Sequence, residues 1–315
     1  MAACAGAACV SFAAQAFDLE GHRGARGLAP ENTLPGFAKA LAIGVTTLEL
    51  DTGVTRDGVV VISHERRLVP AVARGPDGEW LSEPGPLIHD LTYAELERYD
   101  VGRLNPATRY ARQFPDQVPA DGARIPRLAD LFALVNKAGN DTVRFNIEIK
   151  SSPEAPRDTL PPEEFARTLI AAIRAAGMEK RSTIESFDWR SLKAVQALAP
   201  EIPTVYLSAR QSWLDNILAA APAGSPWTGG VQFAAYGSVP KMVKAAGGKI
   251  WSPYFGDLDG EQLAEAHALG LKVIVWTVNR PAQVESMLDL GVDGLISDRP
   301  DLAREVMRRR GLALP

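Results

Sequence analysis

Thr47-Leu48-Glu49-Leu50-Asp51-Thr52 and Val59-Val60-Val61-Ile62-Ser63-His64 are two strand-like runs with only six residues between them, ending in Arg56-Asp57-Gly58. A parallel crossover needs about a dozen residues or more, so these two runs must form an antiparallel hairpin around the Asp-Gly turn. A turn centred between Arg56 and Asp57 would set Glu49 opposite His64 and Asp51 opposite Ile62. Glu49 and Asp51 are two apart and share a face, so the hairpin gathers both carboxylates and His64 at one end of a sheet.

Outside this hairpin, strand-like and helix-like runs alternate. Strands are expected at 17–22, 47–52, 59–63, 144–149, 182–185, 204–207, 249–251, 272–278 and 294–297. Amphipathic helices are expected at 33–43, 162–176, 189–199, 260–269 and 281–290 among others. Gly44, Gly177, Gly270 and Gly291 stand where a glycine ends a helix. Such alternation favours a parallel α/β fold. About eight units suit a (β/α)8 TIM-type barrel better than a doubly wound sheet. The stretch 65–127 departs from the pattern, being rich in Pro, Gly and Arg with one helix-like piece at 92–99. A loop of that length inside a compact domain is functional as a rule, and we expect an insertion over the C-terminal face of the barrel. The domain is then 17–310.

With 315 residues and 46% hydrophobic content the chain can bury a full core. A net charge of -4 argues against a nucleic-acid partner, which would call for a basic stripe. Both cysteines, Cys4 and Cys9, fall in the first ten residues, so the remainder has no disulfide and no thiol nucleophile. Residues 2–16 are small, apolar and uncharged, with Ala14-Gln15-Ala16 as a small-x-small site. They read as an export segment without the usual basic start, which points to a periplasmic or secreted protein; the other reading is a loosely packed N-terminal extension on a cytoplasmic one. No apolar run reaches the ~18 residues of a membrane span, and no stable membrane association is expected.

His22 and Arg23 end the first strand; Glu148 and Lys150 end another and share a face. An acid and a base on one buried strand face are costly unless paired or ligated. Glu49, Asp51 and Glu148 together supply carboxylate oxygens suited to a hard cation, Ca2+ or Mg2+. Arg23 can grip a phosphate with a bidentate fork and Lys150 as a point charge. His22 and His64 can act as acid and base near neutral pH. All lie at strand ends, where the active sites of such barrels gather, and the set suits phosphodiester cleavage. Asn32 and Thr33 read most simply as a helix N-cap.

In order, the chain carries Gly21-His22-Arg23-Gly24, Pro30-Glu31-Asn32-Thr33, Glu49-Leu50-Asp51, His64, Glu148-Ile149-Lys150, Trp276-Thr277-Val278-Asn279 and Gly291-Val292-Asp293-Gly294 through Ser297-Asp298. This set resembles the glycerophosphodiester phosphodiesterase family from about Phe17 to Arg304. The resemblance implies metal binding by Glu49, Asp51 and Glu148, phosphate binding by Arg23 and Lys150, and His22 and His64 as general base and general acid. It further implies attack by the substrate's own glycerol hydroxyl, a cyclic phosphate, and release of glycerol 3-phosphate and an alcohol. Trp276 would line the pocket. Two positions depart from the family pattern: Glu65 stands where an Asp is usual, and Glu185 where Gln is more frequent. The competing readings are a phospholipase on intact lipid, which would want an apolar rim or basic face, and a non-catalytic barrel, which would be expected to have lost a histidine or a metal carboxylate.

Overall fold

The computed structural model describes residues 17–313; the expected export segment lies outside the described residues. Nine strands carry the architecture: β1 (Asp18–Gly21), β2 (Thr47–Val54), β3 (Val60–Ile62), β4 (Arg144–Ile149), β5 (Ser182–Ser186), β6 (Thr204–Ser208), β7 (Ile250–Pro253), β8 (Lys272–Val275) and β9 (Gly294–Ser297). All but β3 run parallel, and β9 pairs with β1, which also pairs with β2, so eight strands close into a ring. Between them run α1 (Leu34–Ile43), α2 (Leu128–Lys137), α3 (Pro162–Ala175), α4 (Trp189–Leu198), α5 (Val239–Ala245), α6 (Gly260–Ala268) and α7 (Pro281–Leu290), and α8 (Pro300–Arg309) ends the circuit. The fold is the expected (β/α)8 barrel.

Period-two alternation sorts the strand residues. Leu48 and Leu50 of β2, Phe145, Ile147 and Ile149 of β4, Trp251 of β7 and Leu295 of β9 face outward, into one core with the helices. The intervening residues fill the lumen, and they divide it. On β1, β2, β4 and β5 they are Glu20, Glu49, Asp51, Asn146, Glu148 and Glu185, all buried. On β6, β8 and β9 they are Val205, Leu207, Ile274 and Ile296, equally buried. One half of the barrel interior is acidic and the other is hydrocarbon.

The hairpin forms, with a register one residue away from the expected one. Thr52 pairs with Ile62, Gly53 with Val61 and Val54 with Val60. Arg56-Asp57-Gly58 make a three-residue loop closed by Thr55 N–H to Val59 O at 3.0 Å, with Gly58 at φ +80°. A left-handed third residue is the signature of this longer loop, and it displaces the pairing by one position. Asp51 therefore lies beside Ser63, whose N–H donates to Asp51 O at 2.9 Å, and Glu49 is not opposite His64.

Residues 65–127 pack over the C-terminal end of the barrel around their own small core of Leu68, Ala73, Ile88, Leu96 and Ile125, joined by Val61 of β3. Val118 N–H to Leu28 O at 2.9 Å and Gln117 Nε2 to Arg26 O at 2.7 Å fasten this segment to the loop after β1. Arg299 to Asp116 at 2.7 Å fastens it to the start of α8. Among the described residues, no helix is long and apolar enough to cross a membrane.

Candidate active site

The loop after β1 turns sharply to deliver His22 and Arg23. Gly24 adopts φ +86°, and a Cβ there would come within 2.7 Å of the Gly36 carbonyl carbon in α1, so only glycine fits. Arg23 itself sits at φ +49°, an uncommon state for a bulky residue, and this aims its N–H at Glu49 Oε2, 2.7 Å away. The next turn puts Asn32 at φ +53°. Thr33 alone caps α1, accepting from Gly36 N–H at 3.2 Å. Asn32, expected to share that cap, instead donates through Nδ2 to Asp51 Oδ2 at 2.8 Å.

Register does the rest. Asp51 on β2 pairs with Glu148 on β4, and Glu148 pairs with Glu185 on β5. Oxygens of Glu49, Asp51 and Glu148 lie within 4.8 Å of one another. Lys150 Nζ reaches Glu148 Oε1 at 3.0 Å and Asp51 Oδ1 at 3.4 Å, and Arg23 Nε lies 3.3 Å from Asp51 Oδ2. His22, Arg23, Glu49, His64, Glu148, Lys150 and Trp276 line one cleft of about 420 Å³, and Asp51 lies in the same cluster. All eight residues singled out from the sequence therefore meet at the barrel mouth.

Three buried carboxylates cannot all stay ionised without positive charge among them. Burial raises Asp51, but His64, Lys150, Arg23 and the Asn32 amide together hold it well below the usual carboxylate range. Glu49 has only a backbone N–H as its close donor; burial and the Asp51 charge push it well up. Burial likewise lifts Glu148, against the pull of Lys150, to about 7. The donor set fits a hard cation: all oxygen, converging, and holding protons that such an ion would replace.

The two histidines are placed differently. His22 Nδ1 lies 2.6 Å from Asp298 Oδ1, while Nε2 faces Glu49 Oε2 at 3.8 Å. Burial would raise Asp298, but Arg26 and His22 keep it ionised, so its carboxylate accepts Nδ1–H and leaves the lone pair on Nε2. Burial and Arg26 lower His22 to about 4, so it is neutral at pH 7. His64 Nδ1 contacts Glu65 Oε1 at 2.8 Å, so the longer acid at position 65 does reach the ring. Burial, Arg23 and Lys150 bring His64 to about 4 as well.

Sequence reasoning missed the supporting residues. Asp298 receives a bidentate contact from Arg26 at 2.8 and 3.1 Å and one from Asn279 Nδ2 at 2.7 Å. An acid one residue beyond the last barrel strand was the available signal. Glu31 holds Arg23 Nη1 at 2.8 Å and accepts from the Tyr110 hydroxyl of the insertion. Glu185 is the position where the family more often has Gln. It lines the cleft beside Glu148 and shares the Asn146 amide with Glu20, at 2.7 and 2.9 Å; burial and the Glu49 and Glu148 charges push it well up. Across the cleft, Trp276 donates Nε1–H to Ser252 O at 3.0 Å and packs against Phe187 and Trp213.

Comparison with known proteins places this geometry. The model of the glycerophosphoryl diester phosphodiesterase family matches residues 22–302. A glycerophosphodiester phosphodiesterase of Caldanaerobacter subterraneus is 28% identical over 290 residues, spanning 92% of this chain and 97% of its own. A Silicibacter pomeroyi crystal structure, named a putative glycerophosphoryl diester phosphodiesterase, superposes with a TM-score of 0.84 at 38% identity, covering 95% of this chain and 96% of that one. An Oleispira antarctica phosphodiesterase, solved with its product sn-glycerol-3-phosphate, shares the fold at TM-score 0.67 and 22% identity, covering 92% and 96% of the two chains.

Proposed function

The chain belongs to the glycerophosphoryl diester phosphodiesterase family and is an enzyme hydrolysing glycerophosphodiesters, and from that premise we propose its chemistry in finer detail. The products are glycerol 3-phosphate and a free alcohol such as choline or ethanolamine. Arg23 and Lys150 hold the phosphate. Nε2 of His22 takes the proton of the glycerol 2-hydroxyl, whose oxygen attacks phosphorus. The bond to the alcohol oxygen breaks as His64 donates a proton to it, leaving a five-membered cyclic phosphate. His64, now neutral, takes a proton from water as that water opens the ring, and His22 returns its proton to the 2-oxygen. The free chain keeps both rings neutral. The anionic phosphate arriving between Arg23 and Lys150 offsets the charges that lower His64, and so lets it carry the proton it must give.

Glu49, Asp51 and Glu148 would hold Ca2+ or Mg2+, which supplies positive charge against the developing negative charge on the phosphoryl oxygens. The observation that carries the reading is the convergence of those three carboxylates within 4.8 Å, with His22 and His64 lining the same cleft. The apolar, uncharged segment 2–16 supports export of the enzyme to the periplasm or beyond, with barrel and insertion working as the mature unit. Purified protein assayed on glycerophosphocholine, glycerophosphoethanolamine and glycerophosphoinositol, with and without EDTA, tests the core of this. Release of glycerol 3-phosphate that chelation abolishes and Ca2+ or Mg2+ restores is expected; full activity after exhaustive chelation would sink the cation assignment.

A further inference from the structure

A second cavity, of about 180 Å³, opens between β3 and the insertion. His64 is the residue it shares with the catalytic cleft. The chemistry changes on crossing that ring. Ile62, Leu68, Val72, Val101, Leu104 and Ile125 form an apolar wall. The polar residues on the rim have partners of their own: Glu31 pairs with Arg23 and Tyr110, Asn32 with Asp51, Glu65 with His64, Ser63 Oγ with Glu65 O at 3.1 Å, and Arg67 reaches Gly85 O at 3.5 Å. Val72 and Leu104 stay only half-buried although they adjoin the small core of the insertion, because they face this space. A concave apolar surface with few convergent polar groups, placed beside a catalytic centre, is the setting of a hydrocarbon subsite.

His22 works on the glycerol hydroxyl and His64 on the oxygen of the departing alcohol, so that alcohol lies on the His64 side. We propose that this cavity is the subsite for the substituent of the leaving alcohol, and that it takes a hydrocarbon group of about six carbons in preference to a small charged head group. The inference rests on the two-histidine reading above. The size follows from volume: an apolar protein cavity of ~150 Å³ accommodates one benzene ring, and this one is slightly larger.

The test is a series of glycerophosphate esters of ethanol, butanol, hexanol and decanol. These leaving groups are nearly equal in acidity, so chain length changes burial and little else. Each buried methylene contributes ~0.8 kcal/mol, about fourfold, so kcat/KM should rise roughly two-hundredfold from the ethyl to the hexyl ester and level off by decyl. Val72→Trp and Leu104→Trp fill the cavity and should each bring the hexyl-to-ethyl ratio close to one. Two positions are used so that a variant that misfolds by circular dichroism leaves the other to decide. Moving the hexyl group to the glycerol 1-oxygen of glycerophosphoethanolamine should give no gain. A flat series in wild-type enzyme that still cleaves glycerophosphoethanolamine would overturn the subsite and leave the function standing. So would a gain from the glycerol-side chain that the tryptophans remove. No turnover of any ester would instead overturn the function itself.

Discussion

The carboxylate cluster makes cation binding a proton-releasing event of calculable size. Near pH 7 Asp51 is ionised, Glu49 is pushed well above the usual carboxylate range by burial and the Asp51 charge, and Glu148, with its pKa of about 7, is half protonated. An ion taken up by all three oxygens must expel the half proton on Glu148, and whatever Glu49 holds adds to it, so at least roughly 0.5 proton leaves per ion. Raised carboxylate pKa values mean that acid competes with the cation, so affinity falls as pH falls. Between pH 7 and pH 6 Glu148 alone contributes about fivefold, and the raised Glu49 acts in the same direction, so Ca2+ should bind at least about fivefold more weakly at pH 6. Titration calorimetry at pH 7 in Pipes and in Tris reads the release directly, because the apparent enthalpy varies with the ionisation enthalpy of the buffer in proportion to the protons expelled. Glu49→Gln removes its share and should leave about half a proton per ion, along with weaker binding. A release near zero in the wild-type protein, or equal affinities at the two pH values, would refute the protonation of the triad.

The histidines should behave as a pair. His22→Ala and His64→Ala should each lose on the order of 10²–10⁴ in rate on glycerophosphocholine, and the double variant far less than the product of the two. A p-nitrophenyl ester, whose leaving group needs little protonation, should partly rescue His64→Ala; rescue of His22→Ala alone would exchange the two roles. The kcat–pH profile should be bell-shaped, falling in acid as His22 takes a proton and in alkali as substrate-bound His64 loses one; a monotonic profile would remove one of them. Asp298→Asn puts an amide against His22 Nδ1 and frees the ring to adopt the wrong tautomer. The loss should be at least about 10² in kcat with Ca2+ affinity unchanged, and little more when His22→Ala is added. Losses that multiply would place Asp298 outside the histidine's work.

What the sequence made legible was chemistry repeated along the chain; what it hid was chemistry between distant positions. Alternating apolar runs announced the barrel, and the short Arg56-Asp57-Gly58 connection announced the antiparallel excursion of β3. The register slipped by one because Gly58 takes a left-handed conformation and lengthens the loop, a choice made by three residues and invisible to hydrophobic period. Asn32 looked like a cap because caps are local, whereas its partner Asp51 is on another element. Glu185 could not be placed until strand pairing set it beside Glu148, with Asn146 shared between it and Glu20. Asp298 is the extreme case, with a partner 276 positions earlier.

That last separation has a bearing on how the enzyme comes into being. His22, His64, Glu49, Asp51, Glu148, Arg23 and Lys150 are all present once Lys150 has been made, in the first half of the chain. At ~5–20 residues per second, a ribosome needs roughly 10–30 s more to reach Asp298. Throughout that interval β5 to β9 are missing, and because a domain folds as a unit the site residues have no closed barrel to gather them. β9 then enters between β8 and β1, completes the wall, and brings the carboxylate that orients His22. Translation therefore acts as a timer on this active site, and a chain released before Gly294 would carry Glu49, Asp51 and Glu148 and remain silent.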